Sequence, residues 1–273
     1  MKIQSVFACY FSPTGNSRRL ACAAAEELAD ALGCLWQEQP FTRPEERGRS
    51  HTWGSQDFVV FAVPTYAGKL PNKILPDLKR QLAGSRTPAM ALVTYGNRSF
   101  DHSLAELCAV LEHADFQVLS AWAFVCRHAF TDRLAGDRPN GDDLAQLTQL
   151  CRQTAEKLAC ISAPAAPLEV PGDAAAPYYV PKGRDGQPVD FLKAKPKTRA
   201  DACIRCGECA AQCPMGAISR QDVVQVPGIC IKCQRCVRIC PVCAKYFDDP
   251  AFLSHVAMLE ETYMAPKGSA TFL

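Results

Sequence analysis

Nine cysteines lie between Cys203 and Cys243, and eight of them form two complete copies of the run Cys-x-x-Cys-x-x-Cys-x-x-x-Cys-Pro. Three thiolates spaced three residues apart can surround one face of a 4Fe-4S cluster, whereas the cysteine before the proline points away and ligates the other cluster. The spacing therefore predicts two 4Fe-4S clusters with crossed ligand sets. These sets are Cys203, Cys206, Cys209 and Cys240 for one cluster, and Cys230, Cys233, Cys236 and Cys213 for the other.

Structural zinc and disulfides are the alternatives for these cysteines. Zinc sites also use Cys-x-x-Cys pairs, but four ligands complete a zinc tetrahedron and a third cysteine at every step is not needed. A disulfide framework belongs with a secretory signal, and the opening MKIQSVFACYF has too short an apolar run for one. The ninth thiol, Cys243, is expected to be a packed residue or a neighbour of a cluster rather than a ligand. Gly207 and Gly216 are expected at tight turns near the clusters.

A second set of candidate residues follows the first predicted strand. The segment Ser12-Pro13-Thr14-Gly15-Asn16-Ser17 combines hydroxyls, a side-chain amide and backbone N–H groups at the start of a helix, where a phosphate can bind. Gly15 permits close approach of a ligand, while Pro13 removes one backbone donor. Because serine and threonine are also ordinary helix N-caps, this loop alone fits a simple cap equally well.

Two further loops follow the third and fourth predicted strands, where a doubly wound sheet binds its ligands. Each combines a tyrosine with glycine and exposed backbone amides, which suits a planar ring that needs stacking and edge hydrogen bonds. Ordinary loop packing of the two tyrosines is the alternative. The loops are Pro64-Thr65-Tyr66-Ala67-Gly68 and Thr94-Tyr95-Gly96-Asn97-Arg98.

Residues 1–162 alternate between short β-branched or aromatic runs and longer helical stretches, which predicts an α/β domain with a parallel sheet. The flavodoxin-like strand order 2-1-3-4-5 suits this pattern. The expected strands are 3–11, 34–37, 58–63, 89–94 and 117–125, and the expected helices are 17–32, 72–82, 102–113 and 142–161.

Three further segments complete the predicted organisation. Residues 163–199 form a linker rich in proline, alanine and glycine, and this linker is long enough for part of it to lie along a domain surface. A small α+β dicluster domain is expected at 200–247, followed by a terminal helix and tail at 248–273. The helix should pack an apolar face formed by Phe252, Val256, Leu259 and Tyr263, with Leu253 beside them.

The motifs YFSPTGNS, PTYAGKLP and TYGNRSFD resemble the three loops that bind flavin mononucleotide (FMN) in the flavodoxin family. With the cysteine runs and the segment from Arg127 to Leu144, the chain resembles bacterial and archaeal flavodoxin-ferredoxin fusion proteins over essentially its whole length. This resemblance implies a noncovalent FMN with its phosphate on residues 12–17 and its isoalloxazine between the Tyr66 and Tyr95 loops. The implied FMN residues are Ser12, Thr14, Gly15, Asn16, Ser17, Pro64, Thr65, Tyr66, Ala67, Gly68, Thr94, Tyr95, Gly96, Asn97 and Arg98.

The charge of the cysteine-rich part differs from the acidic surface usual in small ferredoxins. The segment from Asp190 to Phe247 holds ten Lys or Arg residues and four Asp or Glu residues, a formal charge of +6. Each oxidised cluster with its four thiolates adds about −2, which leaves the domain mildly positive. The cations are expected to balance cluster charge or to meet the flavodoxin domain, with a plain solvated charge run as the alternative, and nucleic-acid binding is not required. They are Lys193, Lys195, Lys197 and Arg199.

Two clusters beside a flavin site favour an electron-transfer protein, because flavin holds one or two electrons whereas a cluster usually exchanges one. The expected partner is a ferredoxin, another oxidoreductase or a small electron acceptor. The alternative is a flavin-dependent reductase of a small substrate, with His128 and Arg98 as candidate proton donor or anion clamp. Structural roles for both side chains are the simpler interpretation. A purely structural role for the metal sites would leave the flavin loops unexplained.

Composition limits the remaining choices. With 273 residues, 48% apolar content and a net charge of +2, the chain is expected to form two domains of a cytoplasmic protein, such as an anaerobe would use. No apolar run is long enough for a membrane span, and no Gly-x-Gly-x-x-Gly motif indicates direct use of NADH or NADPH. The other cysteines are expected to be buried small hydrophobes: Cys9, Cys22, Cys34, Cys108, Cys126, Cys151 and Cys160.

Overall fold

Five longer strands alternate with helices from Ser5 to Cys160, and mostly short elements follow. The structure is a computed structural model that describes residues 2–161 and 166–273. The predicted boundary between the first domain and the linker, at residues 162 and 163, lies outside these ranges. The strands are β1 (Ser5–Tyr10), β2 (Leu35–Pro40), β3 (His51–Thr52), β4 (Asp57–Pro64), β5 (Leu82–Ala83), β6 (Thr87–Tyr95), β7 (Phe116–Val125), β8 (Lys197–Thr198), β9 (Lys245–Tyr246) and β10 (Ala270–Phe272). The helices are α1 (Asn16–Leu32), α2 (Pro44–Arg47), α3 (Leu75–Gln81), α4 (Ser103–His113), α5 (Gly141–Cys160), α6 (Glu208–Ala211), α7 (Arg235–Arg238) and α8 (Pro250–Thr262).

Five parallel strands form the main sheet in the order β2-β1-β4-β6-β7. This is the predicted 2-1-3-4-5 order of a flavodoxin-like doubly wound sheet, in which β4, β6 and β7 are the third, fourth and fifth strands. The sequence gives no signal for a sixth strand. However, β10 pairs antiparallel with β7 at the edge, with Ala270 opposite Ala123. The C-terminal tail therefore returns to the sheet of the N-terminal domain.

Apolar layers cover both faces of the sheet. The run from Phe58 to Val63 is fully buried, as expected for a central parallel strand with helices on both sides. Val59 and Phe61 belong to the layer that includes residues of α4, whereas Phe58 and Val60 belong to the layer that includes residues of α1 and α5. The predicted α/β fold class is confirmed.

Local signals set the helix ends. Helix α1 starts after Gly15, whose φ of 96° is left-handed, and it ends at Gly33, whose N–H bonds the carbonyls of Ala29 and Asp30. Helix α3 begins at Leu75, later than predicted, because the backbone forms a turn after Pro71 in which Ile74 N donates to Pro71 O. The short elements α2, β3 and β5 have no hydrophobic period that could predict them.

The two cysteine runs form a local structural repeat. The short helices α6 and α7 begin after the second cysteine of each run, and β8 pairs antiparallel with β9 beside them. Residues at matching positions of the two copies share a left-handed backbone: Arg205 with Lys232, Gly207 with Gln234, and Gly216 with Cys243. The tight turns expected at both glycines are therefore present.

The linker from residue 166 onward lies along the N-terminal domain. The Lys69 ammonium, which is buried in an ion pair with Glu106, donates hydrogen bonds of 2.7 and 2.8 Å to the carbonyls of Ala174 and Ala176. In addition, the Tyr178 hydroxyl donates to Leu70 O at 2.8 Å. The flavodoxin-like domain thus holds the linker through a desolvated charge and specific hydrogen bonds.

Helix α8 is present, but its buried face differs from the predicted one. Phe252 and Leu259 are buried as expected, whereas Leu253 is 47% exposed. Met258 and His255 are the other buried residues of this helix. The spacing of apolar residues does not predict this buried face, because His255, a polar residue, takes a core position. None of the helices in the described parts of the chain is long and apolar enough to cross a membrane.

Candidate functional site

A cavity of about 540 Å³ lies at the carboxyl edge of the sheet, where β1, β4 and β6 end. The structure brings the three predicted loops together around it. Gly15 and Asn97 are the two implied FMN residues that it does not place in the lining. The predicted residues in the lining are Ser12, Thr14, Asn16, Ser17, Pro64, Thr65, Tyr66, Ala67, Gly68, Thr94, Tyr95, Gly96 and Arg98.

The first loop presents hydrogen-bond donors at the start of α1. The Ser12 hydroxyl accepts from Arg18 N at 2.9 Å and so satisfies one N–H group of the first turn, although Gly15 holds the N-cap position itself. Neighbouring contacts fix the rest of the loop: Ser17 Oγ lies 3.0 Å from Thr94 Oγ1, and Asn16 Nδ2 donates to Arg127 O at 3.2 Å. Since Arg127 also lines the cavity, this end combines a helix N-terminus with a cation and suits a phosphate.

Gly68 and Gly96 let the loops that follow β4 and β6 lie directly against neighbouring side chains. A Cβ atom at Gly96 would overlap the imidazole of His128, and one at Gly68, where φ is 77°, would overlap the Asp101 carboxyl group. The two loops are also joined directly, because Thr65 N donates to Thr94 O at 2.7 Å. Side chains at either glycine would therefore push the walls of the cavity apart.

Asn97 holds the C-terminal tail instead of facing the cavity. Its Nδ2 donates to Tyr263 O at 2.6 Å and to Ala265 O at 3.0 Å, while its Oδ1 accepts from Lys267 N at 3.1 Å. The adjacent Tyr95 hydroxyl donates to Gly268 O at 2.8 Å. The tail that ends in β10 thus fixes the loop that follows β6.

Arg98, a candidate anion clamp, instead contacts two other side chains of the protein. Its guanidinium pairs with Asp101 and lies 4.0 Å from the centre of the Tyr179 ring. The ion pair neutralises the charge that an anionic substrate would need, and the stacking fixes Tyr179 of the linker over the cavity. The position of Arg98 favours this positioning role.

His128 and His255 both line the cavity, and their backbone contacts set different tautomers. His128 Nδ1 accepts from Phe130 N at 3.1 Å, which leaves the proton on Nε2. His255 Nδ1 lies 2.8 Å from Lys182 O and must donate to this carbonyl, so its Nε2 is the acceptor. Sequence reasoning did not find His255, because it lies within a helix whose apolar period suggested packing alone.

Burial lowers the pKa of His128 to about 4, and the nearby His255, Arg238 and Arg98 act in the same direction. Burial also lowers the pKa of His255. Both imidazoles are therefore neutral at pH 7, and each carries its single proton on the nitrogen that these backbone contacts assign.

Acid should destabilise the protein through His128. The folded protein keeps this side chain neutral to about pH 4, whereas the unfolded chain binds a proton below about pH 6.5. Stability is therefore present above that range and is lost as the pH falls from about 6.5 to about 4, by up to ~3 kcal/mol. Anaerobic urea denaturation between about pH 7.5 and about pH 5 should show a smaller loss in His128→Gln than in the wild type. The exposed His113 provides the control His113→Gln, and an identical loss in all three proteins would contradict this assignment.

Segments outside the three loops form the roof of the cavity. The linker contributes Tyr178, Tyr179 and Phe191, and the dicluster part contributes the stretch from Ile229 to Lys232. Arg127, Lys73 and Lys232 add positive charge, and no aspartate or glutamate of the described residues is in the lining. A planar anionic ligand would thus be enclosed by aromatic side chains and cations.

The eight motif cysteines surround two small pockets in the crossed grouping. The proximal pocket, which lies toward the cavity, is lined by Cys213, Cys230, Cys233 and Cys236. The distal pocket is lined by Cys203, Cys206, Cys209 and Cys240. Within the described residues, no three His, Cys, Asp or Glu side chains are arranged to hold a single metal ion.

Backbone N–H groups are directed at Cys213 and Cys240, each of which ends one cysteine run and lines the pocket formed by the other run. Ala217 N lies 3.3 Å from Cys213 Sγ, and Ala244 N lies 3.1 Å from Cys240 Sγ. The N–H bonds to Cys240 outweigh burial and lower the pKa of this thiol. Such donors favour thiolates, which are the form that ligates iron.

Cys230 connects the proximal pocket to the large cavity, since it lines both. Tyr66 lies at the same junction: burial raises its pKa well above the ordinary value, and Cys233 and Cys230 add to the effect. A group bound in the proximal pocket would therefore be adjacent to a ligand in the cavity.

Two arginines connect the domains near this junction. Arg47, which is buried, pairs with Asp77 at 2.9 Å and donates to Pro214 O at 2.8 Å. From the other side, Arg238 donates to His128 O at 2.8 Å and to Ala129 O at 2.9 Å. These contacts hold the proximal pocket against the carboxyl edge of the sheet.

The remaining cysteines follow the expectation in part. Cys9, Cys108, Cys126 and Cys151 are buried, but Cys160 is exposed because it ends α5. Cys243 is exposed rather than packed and lines neither small pocket. Cys22 and Cys34 are partly buried.

The cations ahead of the first cysteine run make contacts inside the dicluster part. Lys195 Nζ donates to Val226 O at 2.7 Å, Lys197 pairs with Asp248 at 2.9 Å, and Arg199 donates to Cys243 O. Lys193 is exposed. The expected contacts of these cations with the flavodoxin-like domain are not found among the described residues.

Comparison with known families matches residues 195–241 to the 4Fe-4S dicluster domain. No curated protein matches the chain. Among solved structures, an archaeal flavodoxin is 12% identical with a TM-score of 0.37, covering 57% of this chain and 99% of its own. A short-chain flavodoxin associated with a non-canonical PDU bacterial microcompartment is 15% identical with a TM-score of 0.39, covering 58% and 99%. An NADH:FMN oxidoreductase in apo form is 18% identical with a TM-score of 0.40, covering 59% and 92%. The fold assignment itself rests on the strand order.

Proposed function

We propose that this chain, a flavodoxin-like domain joined to a 4Fe-4S dicluster domain, transfers electrons between two 4Fe-4S clusters and an FMN. The proposed FMN site is the large cavity, with the phosphate at residues 12–17. In this proposal each small pocket holds one cluster with its crossed set of four cysteines. The order of transfer is distal cluster, proximal cluster and flavin, or the reverse.

The observation that carries the proposal is the position of Cys230, which lines the proximal pocket and the large cavity. A cluster ligand in the wall of a flavin site leaves no protein layer between the two redox groups along that path. Structural metal sites would not need this arrangement, because a cluster that only stabilises the fold can lie anywhere in the domain.

The residues present fit a flavin. The volume of about 540 Å³ lies within the range of cofactor pockets. The helix N-terminus and Arg127 suit a phosphate at one end, while Tyr66, Tyr95 and Tyr179 provide flat surfaces for a ring. Bound flavin supplies the ability to exchange either one or two electrons.

The chain has three tasks in this function. The loops after β1, β4 and β6 would orient the ligand, and their backbone amides would set its potential. The linker and the dicluster domain form part of the cavity wall and would shield a bound ring from water. Lys232 lines the cavity, its ammonium donates to Leu192 O at 2.8 Å, and its backbone N lies 3.4 Å from Cys230 Sγ. Its positive charge would favour the reduced, more negative form of a group bound in the cavity.

Anaerobic purification followed by iron, sulfide and flavin analysis tests the proposal. We expect about eight iron atoms and one FMN per chain. In stopped-flow reduction with dithionite, bleaching of the clusters should precede reduction of the flavin. Absence of bound flavin, or reduced clusters that never reduce it, would remove the proposed function.

A second candidate function is reduction of a small substrate by the flavin. The two histidines of the cavity lining favour it, because the Nε2 of His128 is a donor and the Nε2 of His255 is an acceptor. Arg98 does not support it, since Asp101 already neutralises its charge. Reoxidation of reduced flavin by an added substrate, lost in His128→Ala with full cofactor content, would favour this function over simple electron transfer.

A further inference from the structure

The two small pockets differ in their exposure. The proximal pocket faces the flavodoxin-like domain, where Met215 and Ile231 pack against the apolar layer next to α4. The contact from Arg47 to Pro214 closes the same side. In the distal pocket, by contrast, Cys206 is exposed. A protein that approaches from solvent therefore reaches a distal cluster more directly than a proximal one.

Apolar side chains lie exposed beside Cys206. Ile204 is 63% exposed and Val242 is 37% exposed, and both line the distal pocket. Exposed aliphatic groups clustered around a functional site mark interaction surfaces. We name this surface, formed by Ile204, Arg205, Cys206 and Val242, the distal face.

Two arginines lie at or next to the distal face. Arg205 is exposed between Ile204 and Cys206, and Arg199 is anchored next to Val242 through the Cys243 carbonyl. Asp201 and Glu208 are also exposed there, but the segment from Asp190 to Phe247 as a whole has a formal charge of +6 and stays mildly positive when two clusters are counted. A partner with an acidic surface complements this net charge and the exposed Arg205 guanidinium, and would be steered toward the face.

We propose that the distal face is the docking surface for a small acidic protein that carries one electron at a time. This inference rests on the proposed function and adds where electrons enter or leave. When the carrier is the donor, each encounter oxidises it by one electron and reduces the distal cluster by one electron, and no bond or proton is exchanged at this face. Two encounters supply the two electrons that the flavin can hold. The small apolar area fits a transient redox complex rather than a permanent one.

Stopped-flow reduction of the anaerobic holoprotein tests the docking surface. The donor is a dithionite-reduced bacterial-type ferredoxin with a strongly acidic surface, freed of excess dithionite. We expect Arg205→Glu to lower the second-order rate constant by about tenfold or more at low salt, with a difference that shrinks at high salt. Ile204→Glu should lower it by about tenfold at low salt and should still lower it at high salt, because the loss of apolar contact remains when the repelling charge is screened.

Two substitutions elsewhere serve as matched controls. Leu35→Glu changes an aliphatic residue that is 81% exposed. Leu35 starts β2 and therefore lies at the amino edge of the sheet, away from the carboxyl edge where the dicluster domain packs. Arg152→Glu reverses an exposed charge on α5. Both should react with the donor at the wild-type rate. If a distal-face variant loses iron, Ile204→Ser and Arg205→Gln replace it, because they change the surface without adding a negative charge.

Reduction of each variant by dithionite alone separates the possible outcomes. If dithionite reduces the clusters but never the flavin in any protein, the proposed function is wrong. If dithionite reduces the flavin normally and both distal-face variants react with the ferredoxin within about twofold of the controls, the docking surface is wrong. Selective loss of the ferredoxin reaction with an intact dithionite reaction supports it.

Discussion

Replacing Cys213 by alanine is expected to remove about half of the iron and to disconnect the flavin from electrons delivered at the distal pocket. Although Cys213 belongs to the first cysteine run, it lines the pocket formed by Cys230, Cys233 and Cys236 of the second run. Loss of one ligand should therefore empty the proximal pocket and interrupt the relay between the distal cluster and the cavity. Iron analysis and stopped-flow flavin reduction by the acidic ferredoxin measure both effects.

Cys240→Ala is the matched control, because Cys240 has the equivalent place in the other run and lines the distal pocket. Alkylation of free thiols, mapped by mass spectrometry, distinguishes crossed from uncrossed ligation. In Cys213→Ala, the crossed arrangement leaves Cys230, Cys233 and Cys236 reactive and keeps Cys203, Cys206 and Cys209 protected. The opposite labelling pattern would show that each run binds its own cluster, whatever the activity of the variants.

The grouping of the cysteines could be predicted from the sequence because it depends on short-range geometry. Thiolates three residues apart can reach one cluster, and a following proline directs the chain away from it. The sheet order follows for a similar reason, since buried runs such as the one from Phe58 to Val63 alternate with helices that must cover them. These features are repeated locally and are insensitive to distant parts of the chain.

The roof of the cavity could not be predicted, because it is assembled from residues distant in sequence. Tyr179 is placed by its contact with Arg98, and His255 by a bond to Lys182 O. Asn97 has the sequence context of a flavin loop, yet its side chain binds the tail. No period or spacing encodes such pairings, since each depends on where the linker and the tail return to the N-terminal domain.

The tail shows the same limit. Strand β10 is only three residues long, Ala270–Phe272, and it pairs with the edge of a sheet whose other strands all precede the linker. Although threonine and phenylalanine favour strands, three residues are too few to form a recognisable strand pattern. The open edge of β7 supplies the hydrogen-bonding groups that make these residues a strand, so the fold of the N-terminal domain determines the conformation of the C-terminus.

Arg238→Ala is expected to loosen the dicluster domain from the flavodoxin-like domain and to slow electron transfer from the clusters to the flavin. Arg238 donates to the carbonyls of His128 and Ala129 and pairs with Asp132 at 2.8 Å, and its side chain is only 18% exposed. Truncation of such a partly buried charged group costs about 2 to 5 kcal/mol, which lowers the ratio of docked to undocked molecules more than tenfold. Hydrogen exchange at residues 128–132 and the rate of flavin reduction after cluster reduction measure this effect.

Arg235→Ala provides the control, since Arg235 lies on the same short helix but its guanidinium donates within the dicluster domain, to Gln212 Oε1 at 2.9 Å. It should leave exchange at residues 128–132 unchanged. Arg238 contacts the interface between the domains and not a cysteine. Its variant should therefore keep the full iron content, while its flavin is reduced more slowly than in the wild type. Rapid flavin reduction with increased exchange would show that the domains transfer electrons without staying docked, and unchanged exchange would show that Arg47 and the linker alone hold them together.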